Sequence, residues 1–93
     1  MIWMKWEWFH DPCEWCEEAD LEDGMHATIT TNFTSAGRGR EGFDPNEDAT
    51  EWWLYTNDED GVLCGRFAKP VFLGRMILPN ARKIAEKALE RVI

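Results

Sequence analysis

Basic residues are nearly missing from the first sixty positions of this chain, where Lys5, Arg38 and Arg40 face sixteen carboxylates. A protein that grips nucleic acid must displace counterions with its own cations, so this balance argues against general nucleic-acid binding. Long apolar runs are missing too: none reaches the ~18–20 residues that a membrane-spanning helix needs. The apolar opening MIWMKWEWF is interrupted by Lys5 and Glu7 and has no small-residue cleavage site after it, so no signal peptide is expected. There are only three cysteines, an odd number, so disulfides are not expected and a reducing cytoplasmic compartment is.

Catalytic patterns are equally scarce. The chain has two histidines, His10 and His26, no Ser-His-Asp ordering and no glycine-rich phosphate loop. No carboxylate pair sits in an apolar stretch of the kind that raises a pKa for acid catalysis. An enzyme is therefore not expected, and no cofactor is called for.

Cys13 and Cys16 form one Cys-x-x-Cys pair with His10 just before it, while Cys64 and His26 stand alone. Structural zinc is usually held by two paired knuckles, and the second is missing. A Cys₃His site from Cys13, Cys16, Cys64 and either histidine is the weaker reading. Burial of a small thiol is the stronger one. Asp44, Asn46 and Asp48 have the spacing that opens a calcium loop. Ala49 stands where that loop requires glycine, and Tyr55 where it requires glutamate. No metal ligand set is expected.

What the chain does have is apolar bulk, with six Trp and five Phe in 93 residues, enough for one modest core. One α+β domain over residues 1–93 is expected. Residues 2–9 alternate with period two, as a strand does. Asp11, Pro12 and Glu14 carry the signals of a helix start, predicting a short acidic helix to about Asp20 that buries Trp15, Cys16 and Ala19. Asp23-Gly24 reads as a turn. Residues 25–34 alternate again, with Met25, Ala27, Ile29, Thr31 and Phe33 inward and His26, Thr28, Thr30, Asn32 and Thr34 outward.

Residues 35–50 lack periodicity, and a loop of that length is functional or mobile. Its Arg38 and Arg40 are too few for a phosphate site. "EWWLYT" and "VLCGRFA" around "NDEDG" predict a hairpin, and residues 71–77 a further strand with Gly74 at a weak point or bulge. Ala81, Ile84, Ala85, Ala88, Leu89 and Val92 form one helical stripe, with start signals at Pro79 and Asn80. The expected architecture is an antiparallel sheet of about 4–5 strands, with a C-terminal amphipathic helix and the short acidic helix packed against it.

Function has to come from the charge layout. Residues 61–93 reverse the balance, with seven bases against Glu86 and Glu90. Glu14, Glu17, Glu18, Asp20, Glu22 and Asp23 crowd one segment, and Asp58, Glu59 and Asp60 a second. Such clusters repel themselves. As a solvated face they keep the chain soluble; as a presented surface they steer a cationic partner. Trp53 points away from Trp52 on a strand, which offers an aromatic contact beside them.

The expected function is a small acidic inhibitor, monomer or homodimer, that docks on the cationic, nucleic-acid-binding surface of a larger protein such as a nuclease. By analogy of size and acidity alone its genre is that of anti-CRISPR and anti-restriction proteins, nucleic-acid mimics carried by phage. The alternative is a structural or zinc-stabilised adaptor that uses an aromatic surface.

Overall fold

The computed structural model describes residues 2–5, 15–31 and 44–90. They form five strands and one helix: β1 (Trp3–Lys5), β2 (Cys16–Asp20), β3 (His26–Thr30), β4 (Thr50–Asn57), β5 (Val71–Met76) and α1 (Leu78–Glu90). The strands make one antiparallel sheet in sequential order, β1-β2-β3-β4-β5. Each strand lies beside its neighbour in sequence, and α1 covers one face.

Strand alternation explains which side chains that face takes. Trp15, Ala27, Ile29, Trp52 and Leu54 from the sheet meet Leu78, Ala81, Ala85 and Leu89 from α1 in a single buried cluster. The Trp52 indole is fully buried, and its Nε1 donates to Met76 O at 2.9 Å, so its one polar atom is satisfied. The predicted helical stripe is present, starting earlier at Leu78, but Ile84 lies off it and is exposed. Arg66 Nη1 donates to Leu89 O at 3.4 Å, giving a cation to the helix C-terminus.

The expected acidic helix is corrected. Cys16–Asp20 is a strand, paired with β1 through Trp3↔Ala19 and with β3 through Cys16↔Thr30. Residues 11–14, where the helix signals sit, lie outside the described residues, as do residues 6–9 of the first predicted strand. Trp15 and Ala19 are four apart, a spacing that fits a helix and a strand alike. Glu17 decides between them. It occupies the buried strand position between Trp15 and Ala19, where the sequence reading expected solvent.

Two further readings change. Thr28 and Thr30 point away from α1 as expected, yet they are 2% and 0% exposed, so the second face of the sheet is not a bare solvent face. The predicted hairpin partner of β4 is also reassigned. Residues 62–68 make only one bridge, Asn57↔Leu63, and β4 pairs instead with β5.

The reason lies in Thr56. Its Oγ1 donates to Cys64 O at 2.6 Å and accepts from Phe67 N at 2.9 Å. Its backbone N donates to Phe67 O, and its carbonyl accepts from Cys64 N. The returning chain therefore wraps around this one residue instead of extending as a ladder. Gly74 behaves as predicted: its φ of 122° sits where the β4–β5 register slips between Trp52 and Trp53.

Candidate functional site

β2 presents adjacent carboxylates to opposite faces of the sheet, and their surroundings differ. Glu17 faces α1 and is fully buried. Arg82 Nε donates to its Oε1 and Arg82 Nη2 to its Oε2, each at 2.7 Å, a bidentate pair. Trp15 Nε1 adds a longer bond of 3.4 Å. Hydrogen bonding to Glu17 raises the Arg82 pKa above its ordinary value; burial opposes this, and the charges of Glu17 and Glu86 add to it. Glu86 Oε2 in turn accepts from Trp3 Nε1 at 2.8 Å, tying β1 to the helix. This carboxylate holds the fold together and is not available to a partner.

Glu18 faces the other way. Its side chain is 14% exposed, and the nearest basic nitrogen among the described residues is His26 Nδ1 at 3.8 Å. That histidine sits closer to Asp20 Oδ1, at 3.0 Å. Glu18, His26, Tyr55, Asn57, Glu59 and Asp60 line a cleft of about 360 Å³ on this face. At its floor Thr28 Oγ1 donates to Asn57 Oδ1 at 2.9 Å, and Asn57 Nδ2 donates to Asp58 O at 2.9 Å.

The turns bring the remaining acids to the same end. Asp23 and Gly24 have φ of 59° and 73°, both positive, as a type I′ turn demands and as Asp-Gly allows. The loop after β4 is held by Asp58, whose Oδ1 accepts from Asp60 N and Val62 N at 2.9 Å each. The antiparallel order sets these two turns side by side. A β-carbon on Gly24 would lie 3.1 Å from Glu59 Oε1, and Asp23, Asp58, Glu59 and Asp60 line one shared hollow of about 250 Å³.

The sequence-predicted residues thus divide. Glu22, Asp23, Glu59 and Asp60 are exposed together at one end of the sheet. Asp58 is spent on its own loop, Asp20 is bonded to His26, Glu18 lines the cleft and Glu17 is buried under α1. Glu14 lies outside the described residues. Trp53, on the face opposite α1, packs its ring against Phe72 at 5.1 Å between centroids. Sequence reasoning missed Arg82, Tyr55 and Asn57, and named His26 only as an alternative zinc ligand and an outward-facing strand residue. Arg82 directly follows the stripe residue Ala81, which was the available signal that it flanks the buried face.

Among the described residues no group of three or more His, Cys, Asp or Glu is placed to hold a metal ion. Cys16 Sγ donates to Thr30 Oγ1 at 3.1 Å, and Cys64 Sγ lies 3.6 Å from Met25 Sδ. These two thiols have separate surroundings; Cys13 and His10 lie outside the described residues. Asp44 and Asp48 are engaged in their own turn, Asp48 Oδ2 accepting from Asp44 N at 2.8 Å. No described helix is long and apolar enough to cross a membrane. The chain matches no family model, no curated protein and no solved structure.

Proposed function

We propose that this domain binds a cationic protein surface through the acidic end of its sheet, occupying a surface that otherwise meets nucleic acid. The observation that supports this most is the meeting of the Asp23-Gly24 turn and residues 58–60 around one hollow. Like charges so placed repel each other at a cost to stability. A partner's arginines and lysines offset that repulsion and are steered toward it. Inhibitors of defence nucleases are one kind of protein that works this way, and the likeness rests on size and acidity.

A suitable probe is protamine, an arginine-rich polycation. The triple variant Asp23→Asn, Glu59→Gln, Asp60→Asn should bind it at least about tenfold more weakly, a loss of ~1.4 kcal/mol. Wild-type affinity should fall as salt shortens the Debye length to about 8 Å. Equal affinity for wild type and variant would overturn the reading.

A second reading, an adaptor that uses an aromatic surface, draws on Phe72, which is 52% exposed beside Trp53, and on exposed Val62 and Leu63. It expects Phe72→Ser, and not the triple variant, to weaken capture of a partner.

A further inference from the structure

We propose that the cleft on the face of the sheet opposite α1 takes a guanidinium group, an arginine side chain of the partner, with Glu18 as its main carboxylate. This rests on the cationic-partner reading above and names the group that the partner inserts.

The argument begins with β2. Glu17 and Glu18 are neighbours that point to opposite faces, and both are largely removed from water. A carboxylate in that position needs charge-assisted hydrogen bonds. Glu17 has them from Arg82, which α1 lowers onto it with two bonds of 2.7 Å. Among the described residues no helix covers Glu18's side, and no described arginine or lysine is paired with it. The nearest basic side chain among the described residues is His26, at 3.8 Å and already bonded to Asp20. In place of a second Arg82 there is a cleft of about 360 Å³.

The lining suits guanidinium better than a metal or an ammonium. The described residues place no metal-binding group of three. Tyr55 gives the lining an aromatic residue, and the exposed Glu59 and Asp60 add two carboxylates to it. The floor groups Thr28 and Asn57 are bonded to each other, so they do not compete for the ligand. Guanidinium is weakly hydrated and forks onto a carboxylate, as Arg82 does on the other face, whereas ammonium is a strongly hydrated point charge.

The test uses the full chain and N-acetyl-arginine methylamide, followed by amide NMR, with the lysine analogue in parallel. Saturable shifts should concentrate at Thr28, Tyr55, Asn57 and Gly61, with a dissociation constant on the order of 1 mM. Glu18→Gln, nearly isosteric, should weaken binding about tenfold while keeping the dispersed spectrum of the fold, and the lysine analogue should bind several-fold less well.

Shifts that fail to saturate, or that spread equally over Glu22, Asp23 and Asp44–Asp48, would overturn the proposal from the wild-type protein alone. So would unchanged arginine affinity in Glu18→Gln. If protamine binding still depends on Asp23, Glu59 and Asp60 in that case, the cleft inference falls and the broader reading stands. If the cleft saturates with arginine while protamine ignores the triple variant, the broader reading falls instead.

Discussion

Arg82→Ala removes the cation that, among the described residues, grips Glu17. The carboxylate stays fully buried, and of its three donors among the described residues the Trp15 indole at 3.4 Å remains. Breaking a buried pair from one side costs ~3–5 kcal/mol, because an uncompensated charge is left behind. Arg82 itself is 33% exposed, so water can reach part of the vacated space. The lower end, about 3 kcal/mol, is the expectation. Alanine's better helix propensity offsets only ~0.2 kcal/mol of it. For a domain of this size that loss lowers Tm by roughly 12–24 °C, measurable by calorimetry and by the urea midpoint.

The double variant Glu17→Met, Arg82→Met should recover at least about 2 kcal/mol of the summed single losses, since a buried pair is often replaceable by apolar groups of similar volume. The pair also has a definite pH signature. Glu17 raises the Arg82 pKa, so the arginine's contribution is complete at every pH below its ordinary value and is lost only in strong alkali. Between neutral pH and mild alkali, the Arg82→Ala penalty should therefore stay constant. A penalty no larger than that of exposed Lys83→Ala, within about 0.5 kcal/mol, would refute the placement of Glu17 beneath α1.

Three further outcomes follow from the packing. Ala85→Asp puts a charge at a fully buried helix position and should cost about 3 kcal/mol or more by urea denaturation, with Lys83→Ala near zero. Gly65→Ala and Gly61→Ala should each cost about 1 kcal/mol, because both have φ of 82°. The Gly65 β-carbon would meet Met25 Cε at 2.6 Å, the end of a flexible side chain that can swing aside, so a Gly65 penalty several-fold the larger would show that Met25 is held in place. Thr56→Val strands Phe67 N and Cys64 O and should cost ~2 kcal/mol, with faster hydrogen exchange at the Phe67 amide as the local readout.

Patterns local in sequence were legible before the structure. The α1 stripe, the β3 alternation, the Asp23-Gly24 turn and the Gly74 irregularity all depend on spacing and on residues with special backbone freedom. Where a distant group decides, the pattern misleads. Glu17 reads as a surface residue until Arg82, sixty-five positions later, satisfies it, and only then does Trp15–Ala19 read as a strand. The same holds for residues 62–68, whose alternation suggests a strand but whose hydrogen bonds converge on Thr56. In the site, composition pointed to both acidic segments whole, the buried Glu17 included, while the gathering of Glu22, Asp23, Glu59 and Asp60 at one end follows from sheet order. His26, Tyr55 and Asn57 carry no signature of their own, and only register brings them together.

The slipped register on β5 bears on how the molecule keeps to itself in a crowded solution. An edge strand with exposed Val71 and Phe72 would ordinarily invite another chain to add on, since its outer amides and carbonyls form a ready template. Here the regular beat of those groups is broken midway, at Leu73 and Gly74, and Arg75 follows with a charge. An incoming strand in register with one half of β5 is out of register with the other. Greasy side chains can therefore stay at that margin, open to a shaped partner, without the sheet propagating into fibres.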